Sequence, residues 1–354
     1  MMMIERLLGF FRDAPEKILP ISDEAAIGPY TATEEDIRSC FRLLLGRSPS
    51  IKEWHGHKLA AGQQLQTVVN KFLSAAEFKE RDTSSIVMAN TAHEIVELDN
   101  LSICISSMDE VCGLLRTAKT YEPGVTSVIE CVLAPGMTFV DIGANIGYFS
   151  VLASKKVSDT GKVFAIEPYA YNIKLIQKNI ALNQCENVEV LPFALSKSKG
   201  FLSYDDSAGN SGNVGGLDSN FANLLKCTVV YCMPLDDLID PAIKIDLIKM
   251  DIEGAEYLAL QGMQRTLREH TPLIISEISD EFLKRVSGVT LPQYLELLLK
   301  HERYNIAVIK TPEEIVPCGR DIQRVVEIYT EYASMCMDVV VYTDDQKDLL
   351  KLNM

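Results

Sequence analysis

Three charged residues, Lys249, Asp251 and Glu253, stand at alternate positions in KIDLIKMDIEGAE, where an apolar run ends. In an extended strand alternate residues share a face, so these three point one way and Ile248, Met250 and Ile252 the other. Carboxylates so placed can take the proton of a hydroxyl, or bind a divalent cation such as Mg that lowers the hydroxyl's pKa. Two close carboxylates also push one pKa up unless a cation intervenes, and Lys249 or a metal would be that cation. Asp251 is the first candidate for a catalytic base, and Glu253 the second catalytic residue. Glu277 ends the apolar strand LIISEIS, where a carboxylate is costly without a partner, and is a candidate substrate contact. If a metal is bound, Asp251, Glu253 and Glu277 are its candidate ligands.

A second constellation is FVDIGANIGYFS, in which a strand ends at Asp141, turns through Gly143, Ala144, Asn145 and Gly147, and enters a helix. Glycines let a ligand approach backbone N–H groups, and a helix N-terminus favours a negative group. The next strand, VFAIEP, ends in Glu167, an acid able to bond both hydroxyls of a ribose. Loop and acid together imply an adenosine-bearing cofactor. A dinucleotide site wants G-x-G-x-x-G, but the second glycine is replaced here by Asn145, and an acid precedes the turn. S-adenosylmethionine, with its sulfonium and amino group, fits this loop better. A nicotinamide-dependent oxidoreductase on the same kind of sheet remains the alternative.

The elements that must hold these residues alternate in type. Short apolar strands (MTFVDIG, KVFAIEP, VEVLPFA, IDLIKMD, PLIISEI) are separated by helical patterns at 148–157, 170–182, 254–268 and 291–300. That rhythm predicts βαβ units and a mostly parallel sheet. A helix is expected from Gly124 to Leu133, and EIVELDNLSICI reads as a short extended segment. ERYNIAVIK and MDVVVYTDD form a closing antiparallel pair in this reading. In open sheets of this kind ligands bind beyond the C-terminal strand ends, which is where Asp251, Glu253 and Glu277 fall.

EPGVTSVIECVLAPGMTFVDIGANIGYFSVLAS, FAIEP, LPFALS, GNSGN and LIKMDIEGAE occur in that order. Together they resemble the FkbM family of S-adenosylmethionine-dependent methyltransferases, from about Tyr121 to Glu277. The resemblance implies a class I, Rossmann-like fold: a seven-stranded, mostly parallel sheet with a reversed last hairpin and helices on both faces. It implies O-methyl transfer to a hydroxyl, typically of a sugar in a glycan or glycosylated metabolite. It assigns the cofactor loop to Asp141, Gly143, Ala144, Asn145 and Gly147, the ribose acid to Glu167, and the adenine region to Ala194 and Leu195. It also puts Tyr121, Glu122 and Pro123 near the cofactor or the site rim, and makes Asn210 and Ser211, in AGNSGNVGGLDSN, candidate acceptor contacts.

Residues 31–86 are a separate small helical domain in this reading. Thr33 can cap a helix through Glu35, and Leu65, Val68, Val69, Phe72 and Leu73 form a second apolar stripe. LLGRSPSIKEW…FLSAAEF resembles a bacterial helical domain of unknown function, which suggests docking rather than chemistry. Trp54 reads as packing, and His55 and His57, two apart, do not share a helix face for a metal. The chain thus divides into an extension (1–30), the helical domain (31–86), the methyltransferase domain (87–345) and a tail (346–354).

Composition limits the partners. Among 354 residues the formal net charge is −15, and no basic patch offsets it, so nucleic acid is not expected. The nine cysteines form no CxxC pair and several sit in apolar segments, as expected of reduced thiols in a cytoplasmic protein. MMMIERLLGFFRDAPEKILP is too short and too acidic for a signal peptide and reads as an amphipathic helix; no membrane span is expected. The expected partner is a small-molecule or glycan acceptor, and the terminal hairpin and added helices leave a homodimer open. A non-catalytic adaptor of a glycan-synthesis complex is the reading from another class.

Overall fold

The computed structural model describes residues 31–44, 49–75, 93–106, 115–205, 213–215, 228–332 and 335–351. The amphipathic helix expected at the N-terminus, most of a turn expected at Gly46–Pro49, a linker expected after Arg81, and Asn210 and Ser211 lie outside these residues.

Three helices come first: α1 (Glu34–Leu44), α2 (Ile51–His57) and α3 (Leu65–Ser74). Thr33 caps α1 through Asp36 rather than Glu35, because the reciprocal partner in a capping box stands three residues after the cap. Ser50 and Glu53 make the same box on α2. Phe41 and Phe72 meet edge to face at 4.9 Å, joining α1 to α3. Trp54 is half-buried and carries the Arg38 guanidinium 3.8 Å over its ring. These helices pack onto the larger domain, α1 beside strand Thr228–Met233 and α3 beside strand Val188–Leu191.

The segment EIVELDNLSICI is a hairpin, β1 (His93–Glu97) with β2 (Ser102–Ser106). Helix α4 (Pro123–Val132) then leads into β3 (Thr138–Ile142), α5 (Tyr148–Val157), β4 (Lys162–Ile166), α6 (Ala170–Leu182) and β5 (Val188–Leu191). The expected strand VEVLPFA is two strands, since Pro192 cannot donate to a ladder and the chain leaves the sheet there. It enters a second sheet of four strands: β6 (Ala194–Leu195), β7 (Gly200–Asp205), β8 (Asn213–Gly215) and β9 (Thr228–Met233). The chain returns through β10 (Leu247–Met250), then α7 (Glu256–Gln261) and α8 (Gln264–His270), which meet near Gly262 where one helix was expected. β11 (Leu273–Ile278), α9 (Leu291–Leu298), β12 (Tyr304–Thr311), β13 (Glu314–Gly319), α10 (Ile322–Tyr332) and β14 (Met337–Thr343) complete it.

The main sheet has the order β13-β12-β14-β11-β10-β3-β4-β5. Its five strands from β11 to β5 run parallel, and β14 lies antiparallel between β11 and β12, as the expected closing pair requires. The eighth strand, β13, is an addition to the expected seven: it folds back on β12 as an antiparallel edge. Central strands are buried along their whole length, which explains their continuous apolar runs. After β3 the chain builds outward through β4 and β5, then returns to the other side of β3 for β10 and β11. The reversal opens a crevice between the C-terminal ends of β3 and β10, the ordinary ligand position in such sheets.

Candidate active site

A cavity of about 120 Å³ lies at that reversal. The loop after β3 contributes Gly143 and Asn145, the end of β4 contributes Glu167 and Pro168, and the turn after β10 contributes Asp251, Ile252 and Glu253. Glu277 on β11 and Tyr121 and Glu122 ahead of α4 close one side, and Phe193, Ala194, Leu195 and Tyr204 close the other.

Ten of the residues singled out in the sequence therefore meet around one space: Tyr121, Glu122, Gly143, Asn145, Glu167, Ala194, Leu195, Asp251, Glu253 and Glu277. Asp141, Ala144 and Gly147 do not line it. Asp141 is fully buried and accepts a 2.6 Å hydrogen bond from Ser150 Oγ, so it anchors the start of α5.

The glycine loop is held on the strand side by backbone bonds. The N–H groups of Gly143 and Ala144 both donate to the Ile166 carbonyl, and the Asn145 N–H donates to Glu167 Oε2 at 2.9 Å. The second oxygen of Glu167 accepts from the Tyr169 N–H at 2.9 Å. The Asn172 side chain also bonds this carboxylate, and with about four lone-pair positions it keeps acceptor capacity for a ribose hydroxyl. Burial pushes the Glu167 carboxyl up to about 8, against the pull of its two backbone donors. Asn145 lines the cavity, and its Oδ1 is buried with no hydrogen-bond partner among the described residues.

Gly143 permits the closest approach in the site. Its φ is +78°, and a Cβ there would lie 1.9 Å from the Asp251 carbonyl oxygen. Replacing Gly143 by Ala is therefore expected to force the β3 and β10 ends apart and to destabilise the protein by about 2–3 kcal/mol. A thermal melt unchanged from the wild type would contradict this packing.

The charged side is organised around Lys249, which is 4% exposed. Its Nζ donates to Asp251 Oδ2 at 3.0 Å and lies 4.8 Å from the Phe149 ring centroid. In the parallel ladder Lys249 pairs with Asp141 on β3. Burial alone would depress its ammonium, but Asp251, Glu122 and Asp141 outweigh that and raise its pKa, so it stays charged. The role of strut to an acid, raised as one possibility from the sequence, is what the geometry shows.

Glu253 reaches the cavity by a different route from the expected one. β10 ends at Met250, so strict alternation stops before it, and Asp251, Ile252 and Glu253 all line the space. Glu253 has φ +55°, and Glu122 and Asn145, at +41° and +49°, share that left-handed conformation. Non-glycine residues there cost energy, and all three border this one cavity. Burial, then Asp251, push Glu253 up to about 7, with Arg285 and Lys249 opposing.

Sequence reasoning missed Asp338. It pairs with Glu277 across β11 and β14, a like-charge opposition. Burial, then Asp251 and Asp338, hold the Glu277 carboxyl well above the usual range, and burial with Glu122 and Asp251 raises Asp338 too. The antiparallel reading of MDVVVYTDD contained the signal, since its first acid had to fall at the same sheet edge as Glu277. Tyr204 was also missed; it stacks on Tyr169 with centroids 5.0 Å apart, and nothing in GFLSYD marks it as a wall. His301 and His270 are not among the cavity's residues, and His270 is bonded to Ile245 and Pro241 at the end of α8.

Among the described residues no group of three His, Cys, Asp or Glu side chains is arranged to hold a metal ion. No helix among them is long and apolar enough to cross a membrane.

Residues 141–306 match the methyltransferase FkbM domain. The chain is 29% identical over 245 residues to methyltransferase sdnD of Sordaria araneosa, covering 60% of this chain and 89% of that protein. It is 24% identical over 241 residues to the AMB antimetabolite synthetase AmbE of Pseudomonas aeruginosa, covering 56% of this chain and only 11% of that much longer protein. A solved structure of methyltransferase FkbM from Methylobacillus flagellatus is similar at 17% identity and TM-score 0.38, with 86% of this chain and 58% of that one covered. The domain match and the relative sdnD set the oxidoreductase alternative aside. The chain carries a methyltransferase domain of the FkbM family, spanning residues 141–306.

Proposed function

We propose that this domain transfers a methyl group from S-adenosylmethionine to a hydroxyl, of a sugar in a glycan or of a glycosylated small molecule. The observation that carries the reading is the division of the cavity between two kinds of chemistry. On one side Glu167 and Asn145 offer acceptors suited to ribose hydroxyls and an amino group. On the other, Asp251, Glu253 and Glu277 offer carboxylates to a hydroxyl-bearing acceptor. When bound, S-adenosylmethionine supplies an electrophilic methyl on a positively charged sulfur. The protein's own task is then to orient the hydroxyl and remove its proton.

The sequence reading put Asp251 first as base. Its ion pair with Lys249 favours Glu253 instead: proton transfer from the hydroxyl is most efficient to a group whose pKa lies near the working pH, and Glu253 sits at about 7. Asp251 then holds Lys249 and keeps Glu253 basic, and Glu277, with its raised pKa, is suited to donate a hydrogen bond to an oxygen of the acceptor. The name of the relative AmbE, an antimetabolite synthetase, supports a small-molecule product. The net charge of −15 favours a partner other than nucleic acid.

Lys249 supplies the positive charge for which a divalent cation was the other candidate, which favours a metal-free reaction. Methyl transfer to a panel of sugars and glycosylated metabolites, with and without EDTA, tests both points. The rate is expected to be unaffected by EDTA, and a loss restored by Mg would overturn the metal-free reading. Absence of S-adenosylhomocysteine binding by calorimetry would overturn the cofactor. If Asp251→Asn and Glu253→Gln leave cellular function intact while a partner remains tightly bound, the adaptor reading prevails.

A further inference from the structure

The strand side of the glycine loop is tied to β4, but its helix side is tied to a segment outside the parallel sheet. Ile146 stands one residue ahead of Gly147, the N-cap of α5, so its carbonyl lies outside the helical ladder. That carbonyl accepts a 2.8 Å hydrogen bond from Asn179 Nδ2, on α6. Asn179 is fully buried, and its remaining capacity is spent on one residue of the β1–β2 hairpin. Its Oδ1 accepts from the Cys104 N–H at 2.6 Å, and its Nδ2 also donates to the Cys104 carbonyl at 3.2 Å.

One helical turn on, Asn183 repeats the arrangement on Ser102: its Oδ1 accepts from that residue's N–H at 2.9 Å and its Nδ2 donates to the carbonyl at 2.7 Å. Residues i and i+4 share a helix face, and residues i and i+2 share a strand edge. The two side-chain amides therefore act on β2 as a neighbouring strand would. Without them the inner edge of the hairpin would bury unpaired backbone groups. Only Asn179 also reaches the glycine loop.

We propose that Asn179 is a positioning residue for the cofactor loop, through which the β1–β2 hairpin, outside the matched domain, sets the shape of the cofactor site. The Asn145 N–H is held by Glu167 and the Ile146 carbonyl by Asn179, so the peptide units that flank the pair Asn145–Ile146, of which Asn145 is left-handed, are held by two different elements. Releasing one of them frees the loop to leave the conformation that places Asn145 in the cavity wall. This inference rests on the cofactor reading above.

The test compares Asn179→Asp with Asn183→Asp. Each loses the amide donors on its own rung of the hairpin, but only Asn179→Asp loses the bond to the loop. Calorimetry with S-adenosylhomocysteine is expected to show roughly tenfold weaker binding for Asn179→Asp and a change under about twofold for Asn183→Asp. The KM for S-adenosylmethionine should rise with kcat nearly unchanged. Equal weakening in both variants would mean that hairpin docking alone matters, and no weakening in either would remove the role altogether; both overturn the proposal. Should Asn179→Asp not fold, hydrogen exchange on the wild-type chain decides. S-adenosylhomocysteine should slow exchange in the β2 peptide containing Cys104 together with the glycine loop, and protection confined to the loop would overturn it. If the wild type binds no S-adenosylhomocysteine, the cofactor reading fails, and this one with it.

Discussion

Replacing Glu253 by Gln is expected to lower kcat by about 10²–10⁴-fold, the usual contribution of a positioned proton acceptor, with S-adenosylhomocysteine affinity within about twofold of wild type. The partner variant, Asp251→Asn, should retain more activity but change its pH dependence. A base works in its deprotonated form, so kcat/KM rises with pH through the Glu253 pKa of about 7. After burial, Asp251 is the main influence that raises this carboxyl. Removing its charge lowers that pKa, and the acid limb of the profile moves to lower pH. A silent Glu253→Gln beside an inactive Asp251→Asn would return the role of base to Asp251.

The second large effect is at the opposite end of the cavity. Glu167→Ala should weaken S-adenosylhomocysteine binding by about 10- to 100-fold, since a charge-assisted hydrogen bond contributes about 1.5–3 kcal/mol. It also leaves the N–H groups of Asn145 and Tyr169 without their acceptor, so the loop loses its strand-side support. Burial raises the Glu167 carboxyl to about 8 in the free protein. Hydroxyl donors favour the carboxylate, so affinity should tighten as pH rises from about 6 toward 8 and level off above. Isothermal titration across that range reads both effects, and a Glu167→Ala variant with unaltered affinity would remove the ribose role.

Much of this site was legible because strand ends are marked by simple chemistry. Buried parallel strands must be apolar throughout, so a carboxylate such as Glu167 or Glu277 at the end of one stands out. The helix ranges 148–157 and 170–182 were legible for the complementary reason, apolar periodicity bounded by turn residues. Other features depended on contacts between distant segments. The pairing of Lys249 with Asp141, and of Glu277 with Asp338, follows from strand order and register, which a single sequence does not state. The second sheet was hidden because Pro192 interrupts what reads as one strand, and its partners are short. The left-handed turn at Glu253 was hidden by alternation, which led to the right cavity through the wrong geometry.

The second sheet leaves and rejoins the chain at neighbouring points: Ala194 pairs with Cys232 and Leu195 with Met233, side by side and parallel. An excursion whose two ends already touch can be lengthened, shortened or exchanged with little effect on the rest, because loop closure changes slowly with length. Phe193 to Leu195 and Tyr204, which wall the cavity, lie at its entry and within it, whereas Lys249 and its acids lie on the main sheet and its flanking turns. The shape of the pocket can thus be altered as a cassette while the proton chemistry stays on an unmoved frame.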